Sequence, residues 1–207
     1  MKKLVFLLIL FLCVYSVART QNVQFGVRTG LSFATQSTDI ADVISTNSVT
    51  TYNISVIIEK PFKNSFYLQS GLGVIGKGVI TYQNAQTATY KLTYLDIPLN
   101  LLHKFNLPGS GKLYVGAGPY LSVGLSGNVQ FENTNNTSGQ SLAFGNSQDY
   151  KRLEGGINFT GGFELNNHLT FNTNYELGIN NLATDDPTDN VSVIRNRVFS
   201  VGLGFLF

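Results

Sequence analysis

Ionisable side chains recur at alternate positions of several extended segments of this sequence. Within each segment they share their parity with glycine, serine and asparagine, so they fall on a small, polar face. Three kinds of chemistry are open to such a set: a network of ion pairs, a narrow ion path, or acid–base work by two carboxylates. The last needs neighbouring carboxylates, and Glu164 and Glu176, on consecutive segments, are the candidates. The full set is Arg28, Glu59, Lys77, Asp96, Lys104, Arg152, Glu154, Glu164 and Glu176.

Charges that are removed from water are costly unless they are paired. If the polar face encloses a narrow space, these nine groups therefore predict an internal ion-pair network that fills it. Neither an ion path nor acid–base work is indicated by anything else in the sequence, since no further residue marks a place for a substrate between the carboxylates.

The other candidate groups are better interpreted as structural residues than as functional ones. His103 and His168 are the only histidines. Both fall near tight turns and could approach one another, but two ligands rarely suffice for zinc. A serine nucleophile would need one of these bases within hydrogen-bond reach, and the sequence has no Gly-x-Ser-x-Gly elbow. We interpret both histidines as polar residues of a rim.

Two further patterns match functional motifs in residue type but not in structural context. The glycines of 71–76 fit a dinucleotide-binding motif, but that motif opens a helix, and here the glycines lie within an alternating strand pattern. Asp185, Asp186 and Asp189 could gather a divalent cation, but their spacing matches no calcium loop, and a solvated acidic loop is the preferred interpretation. We expect no cofactor, no resident metal and no enzymatic activity.

The elements that must position these residues are eight segments with period-two alternation. One column of each is large and apolar, as in Val27, Leu31 and Phe33, and the opposite column is small or polar, as in Gly30 and Ser32. The segments run over 22–36, 50–60, 65–81, 90–105, 112–130, 150–164, 168–180 and 193–207.

Two folds produce such columns. A soluble antiparallel barrel of the lipocalin type places the apolar column inside, whereas a transmembrane barrel turns it toward lipid. Charged residues make up only 13% of the chain, which is few for a soluble surface. The glycine- and serine-rich column also suits the narrow bore of eight strands. The pattern therefore predicts a transmembrane barrel, with Tyr52, Tyr82, Tyr90, Phe105, Tyr150 and Phe163 as candidates for aromatic girdles at the membrane interfaces.

The connections alternate in length. The tight turns at 60–64, 106–111 and 165–167 are expected on the periplasmic side, and longer loops at 37–49, 82–89, 131–149 and 181–192 on the extracellular side. The Asn/Ser/Thr/Gly tract within the third loop is expected to be mobile. Pro98 and Pro119 cannot donate ladder hydrogen bonds, so each should mark a bulge or a local break.

The two ends of the chain carry targeting patterns. Lys2 and Lys3 precede an apolar run from Leu4 to Val17, which is typical of a signal peptide and short for a membrane-spanning helix. We expect 1–20 to be removed, by cleavage after Ala18 or after Thr20, leaving a barrel domain at 21–207. The single cysteine, Cys13, lies in this segment, so the mature chain has no disulfide.

Without Lys2 and Lys3, the 14 basic residues become 12, against 12 acidic residues. This balance gives no basic patch for nucleic acid. At the other end, Ser200, Gly202, Phe205 and Phe207 are similar to the C-terminal signal by which bacterial outer-membrane barrels are recognised for insertion. The barrel assembly machinery, outer-membrane lipid and lipopolysaccharide are thus the expected partners, protein partners are unknown, and a monomer is expected.

Several strands also resemble those of a known family. The sequence at 25–32 (FGVRTGLS), at 94–99 (YLDIPL), at 114–120 (YVGAGPY), at 174–180 (NYELGIN) and at 196–207 is similar to successive strands of a Bacteroidetes outer-membrane barrel family typified by PorT. Both prolines fall where the family pattern has them. Asn174 departs from the arginine that the family often has there. The resemblance implies an eight-stranded barrel, and some relatives assist protein secretion.

These observations predict an all-β, eight-stranded antiparallel up-and-down transmembrane barrel in the bacterial outer membrane, with short periplasmic turns and longer extracellular loops. The function expected is structural or surface-binding through the outer loops. A secretion accessory and a narrow small-solute porin are the alternatives.

Overall fold

The computed structural model describes residues 23–38, 45–83, 86–133, 136–145, 148–184 and 193–207. The predicted signal peptide and the loop acids Asp185, Asp186 and Asp189 lie outside the described residues. The strands are β1 (Gln24–Thr38), β2 (Ser45–Asn47), β3 (Val49–Lys63), β4 (Phe66–Gln83), β5 (Gln86–Leu107), β6 (Gly111–Asn133), β7 (Asn136–Leu142), β8 (Leu153–Leu165), β9 (Leu169–Gly178) and β10 (Ile194–Leu206).

Eight long strands close into an antiparallel ring, in the order β1-β3-β4-β5-β6-β8-β9-β10. The ring is closed by β10, which pairs with β1 from Gly26–Leu206 to Thr38–Ile194. Because every strand of the ring has a neighbour on both sides, no backbone edge is left open to lipid. The predicted up-and-down barrel is confirmed.

The large apolar column of each strand faces outward, as the alternation predicts. Leu31 on β1 is 52% exposed and Leu203 on β10 is 49% exposed, whereas Ser32, the residue of β1 that follows Leu31, is fully buried. A lipid-facing exterior and a polar interior follow from the same period-two pattern.

Two of the seven predicted connections differ from the prediction because their described residues include strands of their own. Within 37–49, β2 pairs with the end of β4. Within 131–149, the tract expected to be mobile forms β7, which pairs with β6 from Asn133–Asn136 to Gly127–Leu142. The predicted loop 82–89 is instead mostly strand, since β4 and β5 stay paired as far as Gln83–Gln86. Hairpin pairing there satisfies backbone groups that a loop would expose to water.

The wall of the barrel is unequal in height. Strands β4, β5 and β6 have 18, 22 and 23 residues, against 13, 10 and 13 in β8, β9 and β10. About 9–11 residues cross a membrane as a tilted strand. The exposed apolar column of β6 ends at Leu125 and is followed on that strand by exposed Ser126, Asn128 and Gln130. The upper parts of β4–β6, with β2 and β7, therefore form a five-stranded extension, the outer sheet, in the order β2-β4-β5-β6-β7.

Pro98 and Pro119 mark a local break in the ladder, as expected. Between β4 and β5 the pairing lapses from Ser70–Leu99 to Gly73–Asp96, and between β5 and β6 it lapses from Pro98–Tyr120 to Leu101–Ala117. The register is the same on both sides of each gap. The Ser70 hydroxyl donates to the Pro98 carbonyl at 2.8 Å. The missing N–H groups are thus accommodated without a change of strand alignment.

Among the described residues, no helix has the length and hydropathy to cross a membrane.

Candidate functional site

The bore of the barrel holds two ion networks, one above the other. The outer network is centred on Lys77 of β4, whose ammonium nitrogen lies 3.0 Å from Glu154 Oε1 and 2.8 Å from Glu176 Oε2. Lys77 also donates to the Ser122 hydroxyl at 3.2 Å, and that hydroxyl donates to Asp96 Oδ1. Lys77 and Glu154 are fully buried.

Polar and aromatic side chains complete the outer network. The Tyr120 hydroxyl and the Asn196 amide each donate to Glu154 at 2.6 Å. The Lys77 ammonium also lies 4.6 Å from the ring centroid of Tyr120 and 5.2 Å from that of Tyr94. Lys77 is thus held by two carboxylates and two aromatic faces, which is the kind of surrounding that a buried ammonium requires.

The periplasmic network is centred on Lys104 of β5. Lys104 forms ion pairs with Glu59 and with Glu164, the second at 2.6 Å, and Lys112 reaches the other oxygen of Glu164 at 3.5 Å. The Gln69 amide donates to Glu59 at 3.0 Å. A chain of hydrogen bonds therefore runs from the lysine through Glu59 to Gln69.

Arg28 of β1 extends this chain across the bore. Its guanidinium donates to Gln69 Oε1 at 3.0 Å and to the Tyr114 hydroxyl at 3.4 Å. Because Gln69 both donates to Glu59 and accepts from Arg28, it links a cation and an anion that are not themselves in contact.

Between the two networks lies a polar chamber of about 70 Å³. The chamber touches both networks, and among its lining residues are Arg28, Asp96, Asn158, Asn172 and Glu176. A space of this size can hold ordered water.

The outer mouth of the bore is closed by an apolar cluster. Phe144, Tyr150 and Leu182, from the connections after β7 and β9, pack onto inward-facing strand residues. The ring of Phe144 meets that of Tyr94 edge to face, with centroids 5.4 Å apart. It lies over Gly124, where an added Cβ would come within 2.6 Å of its ring. The strand residues of the cluster are Ala34, Val49, Ile75, Leu92, Tyr94 and Val198.

Tyr150 is anchored at both ends. Its backbone N–H donates to the Ala143 carbonyl at 3.3 Å, and its hydroxyl donates to Gln36 Oε1 at 3.4 Å. Burial raises the pKa of this hydroxyl well above its usual value, so it remains a neutral donor. The prediction that Tyr150 belongs to an interface girdle is wrong, because this ring is 5% exposed and lies in the apolar cluster.

Eight of the nine ionisable residues singled out in the sequence lie buried in the bore. Arg152 does not. It is exposed, precedes the first residue of β8, and donates to the Phe144 carbonyl at 2.8 Å. The inward parity of Glu154 does not extend to Arg152 because alternation holds only within the paired strand.

Glu164 and Glu176, the candidate acid–base pair, are not brought together. Glu164 pairs with Thr170 on β9, while Glu176 lies opposite Asn158 on β8. Six residues of strand therefore separate their levels, which is roughly 20 Å. Each belongs to a different network, so the pair cannot share one substrate.

The remaining candidates have structural surroundings. The His103 ring stacks between Phe66 and Phe105, with centroids 4.7 and 4.4 Å away, and His168 in the β8–β9 turn lies near Phe205. The glycines of 71–76 lie within β4, followed by more strand and no helix. Among the described residues, no group of three or more His, Cys, Asp or Glu is placed to hold a metal ion.

Sequence reasoning missed the tyrosines of the bore and the loop residues of the cluster. Tyr94 and Tyr120 share strand parity with Asp96 and Ser122, so the alternation that identified the carboxylates also marks these rings as inward. Nothing comparable marks Phe144 or Leu182, since both lie outside the long strands.

A closed ring of eight strands with an apolar exterior is the architecture of an outer-membrane barrel. Residues 18–184 match the family described as outer membrane protein beta-barrel domain. The chain belongs to this family. Membership in the outer membrane protein beta-barrel family places the protein in the bacterial outer membrane.

Solved structures similar to this barrel include the attachment invasion locus protein Ail of Yersinia pestis, at 12% identity over 90% of this chain and 100% of that one, with a TM-score of 0.44. Neisserial surface protein A is 15% identical over 88% of this chain and 97% of its own, with a TM-score of 0.46. The outer membrane protease OmpT of Escherichia coli is 8% identical over 91% and 98%, with a TM-score of 0.39. The search of curated proteins finds no match.

Proposed function

We propose that this barrel is a non-enzymatic surface-binding protein, and that its outer sheet is the binding element. The observation that carries the proposal is the position of β7. This strand pairs with β6 on one side and, among the described strands, with none on the other. A free strand edge presents unpaired N–H and C=O groups, to which an extended peptide can add as a further strand.

The side chains of β7 suit such a role. Residues 136–141 are all exposed and are Asn, Thr, Ser, Gly, Gln and Ser. Main-chain hydrogen bonds supply affinity in strand addition, while polar side chains keep the edge soluble before it binds. The expected partner is thus an extended polypeptide segment at the cell surface.

The bore supports a binding role over a transport role. Two ion networks and the outer apolar cluster occupy it, and the chamber between them is small, about 70 Å³. A narrow porin would need this interior to rearrange. An enzyme acting on lipid would need a base close to a nucleophile at the outer leaflet, whereas His103 lies near the periplasmic end of β5 and His168 lies in the β8–β9 turn.

The proposed function is tested with arrayed extended peptides and the purified, refolded barrel. Replacing Ser138 and Gly139 together by proline interrupts β7, because proline cannot donate to a ladder. The matched control replaces the same two residues by alanine, which fits at Gly139, where an added Cβ comes no closer than 3.8 Å to Val129 O. Peptide binding that the alanine variant keeps and the proline variant loses supports the proposal. No binding, or equal binding by both variants, contradicts it.

The second candidate function is a secretion accessory, which the resemblance to the PorT-typified family favours. We infer that the chain is a PorT-type member of its family, since Pro98 and Pro119 of the shared motifs fall together at the ladder break. Co-purification from native outer membrane tests this function. A secretion component that copurifies with the barrel, and does so equally with the proline variant, would favour it over surface binding.

Assembly and lipid contacts complete the proposal. Phe205 and Phe207 face outward at the end of the chain, and Ser200 faces inward, where its hydroxyl is 2.8 Å from that of Ser32. We expect the barrel assembly machinery to bind the exposed aromatic face of β10 before β10 pairs with β1. We expect a monomer embedded in outer-membrane lipid and lipopolysaccharide. The leader at 1–20 is expected to be removed before insertion.

A further inference from the structure

The outer network has an unbalanced charge. Its one amine, Lys77, lies within ion-pair distance of Glu154 and Glu176. Asp96 belongs to the same network but accepts only from the Ser122 hydroxyl. Among the described residues, no lysine or arginine lies within ion-pair distance of Asp96. The other four carboxyl groups of the bore each have an ammonium partner.

Asp96 opens instead onto the chamber, which Glu176 also lines. Besides Glu176 Oε2, which is ion-paired with Lys77, three polar atoms of the chamber residues are buried without a hydrogen-bond partner in the protein: Arg28 Nε, Asn158 Oδ1 and Asn172 Nδ2. These residues are 8%, 4% and 5% exposed. Buried polar groups left unpaired by protein are commonly satisfied by ordered water, so the chamber is a built site for water between the two carboxyl groups.

The ionisable groups around the chamber carry an excess of negative charge when all of them are ionised. Over the two networks and the chamber together, four cations face five carboxyl groups: Arg28, Lys77, Lys104 and Lys112 against Glu59, Asp96, Glu154, Glu164 and Glu176. A net negative charge enclosed in this way is costly, and a buried group avoids the cost by taking up a proton. One further positive charge balances the set.

We propose that Asp96 carries that charge as a proton, and that Asp96, Glu176 and chamber water form a buried proton-binding site in the folded barrel. Ser122 occupies Asp96 Oδ1, which leaves Oδ2 to hold the proton and to donate toward Glu176 through water. The ionisable and polar groups that face this site from the surrounding strands are Arg28, Lys77, Tyr94, Tyr120, Glu154 and Asn196.

Proton binding by the folded state makes stability depend on pH. At neutral pH an aspartate in the unfolded chain is ionised, so unfolding releases the proton. The unfolded state then binds fewer protons than the folded state, and stability falls as pH rises. With one proton released, each pH unit lowers the folding equilibrium constant by up to about tenfold.

The test compares wild type with Asp96→Asn, as mature barrels refolded in lipid vesicles and unfolded with urea from about pH 5, above the pKa of an unfolded aspartate, to about pH 9. Asparagine is uncharged and close in shape to protonated aspartate. We expect wild type to lose stability as pH rises, and Asp96→Asn to lose much less. Other titrating groups contribute equally to both proteins. Glu164→Gln is the matched control, because it breaks an ion pair of the periplasmic network and should lower stability throughout this pH range without changing the slope.

A second readout uses wild type alone and so does not depend on the variant folding. Infrared spectroscopy of the folded barrel should show the carbonyl stretch of a protonated carboxylic acid at neutral pH. Absence of that band, or equal pH slopes in wild type and Asp96→Asn, would overturn the proposal. A stability of wild type at alkaline pH that rises with sodium or potassium concentration would also overturn the proposal, because the balancing positive charge would then be an alkali ion.

Discussion

The two ion networks lie in one bore, on the same polar face of the same strands, yet they differ in balance and enclosure. The periplasmic network sets two lysines, Lys104 and Lys112, against two carboxylates, and Lys112 is 34% exposed. The outer network sets the fully buried Lys77 against three carboxyl groups beneath the apolar cluster. A lost lysine should therefore cost less in the periplasmic network, where Lys112 is a second amine, than in the outer network, which has one amine.

The largest effect is expected from Lys77→Met. Methionine fills a similar volume but leaves Glu154 and Glu176 without their cation in an enclosed site. Breaking a buried pair in this way costs about 3–5 kcal/mol. The measurement is the urea midpoint of refolding-competent barrel in lipid vesicles, with Lys91→Met on the exposed face of β5 as the control. Equal midpoints for the two variants would contradict the buried network.

A smaller loss is expected from Lys104→Met. The change leaves Glu59 without an amine, but the Gln69 amide still donates to Glu59, and Lys112 still reaches Glu164. We expect about 2–3 kcal/mol, less than for Lys77→Met. The same titration ranks the two variants, and the reverse ranking would show that a second amine does not limit the cost.

Arg28→Leu should lower the unfolding temperature. The substitution removes the donor of Gln69 and of Tyr114, and hydrogen bonds to charged groups are worth about 1.5–3 kcal/mol. The melting curve of purified protein provides the measurement, and Arg197→Leu on an exposed position serves as the control. An unchanged melting curve for Arg28→Leu would count against a lumen network that includes this residue.

The smallest effect is expected from Tyr150→Phe. The ring keeps its place in the apolar cluster, and only the hydrogen bond to Gln36 is lost, which costs about 1 kcal/mol. Tyr150→Ala removes the ring as well and should destabilise the barrel by roughly 3–5 kcal/mol. If both variants were equally stable, the cluster would not seal the mouth.

Strand parity could be read from the sequence because a barrel imposes it on every residue of a paired strand. Parity placed Glu59, Lys77 and Asp96 in the bore, and the prolines correctly predicted a ladder break. It gives the face of a residue but not its height, so Glu164 and Glu176 looked adjacent although they belong to different networks. It also stops where pairing stops, which is why Arg152 was wrongly placed inside.

The outer sheet could not be predicted from hydrophobic alternation. The tract 136–141 contains only polar residues and glycine, so it has no apolar column, and the pattern predicts a loop. Its strand conformation comes from pairing with β6, a contact that composition does not reveal. The cluster residue Phe144 was missed for a related reason, since its position depends on how the connection after β7 folds back over Gly124.

The central claim is that the interior of this barrel is filled by its own side chains and that function lies in the outer sheet. Conductance across a planar lipid bilayer tests that claim most directly, using wild-type barrel whose insertion is verified by heat-modifiable gel migration. The two networks and the apolar cluster predict an electrically silent membrane. Regular conductance steps from the inserted wild-type barrel would contradict the account and make the narrow porin the better description.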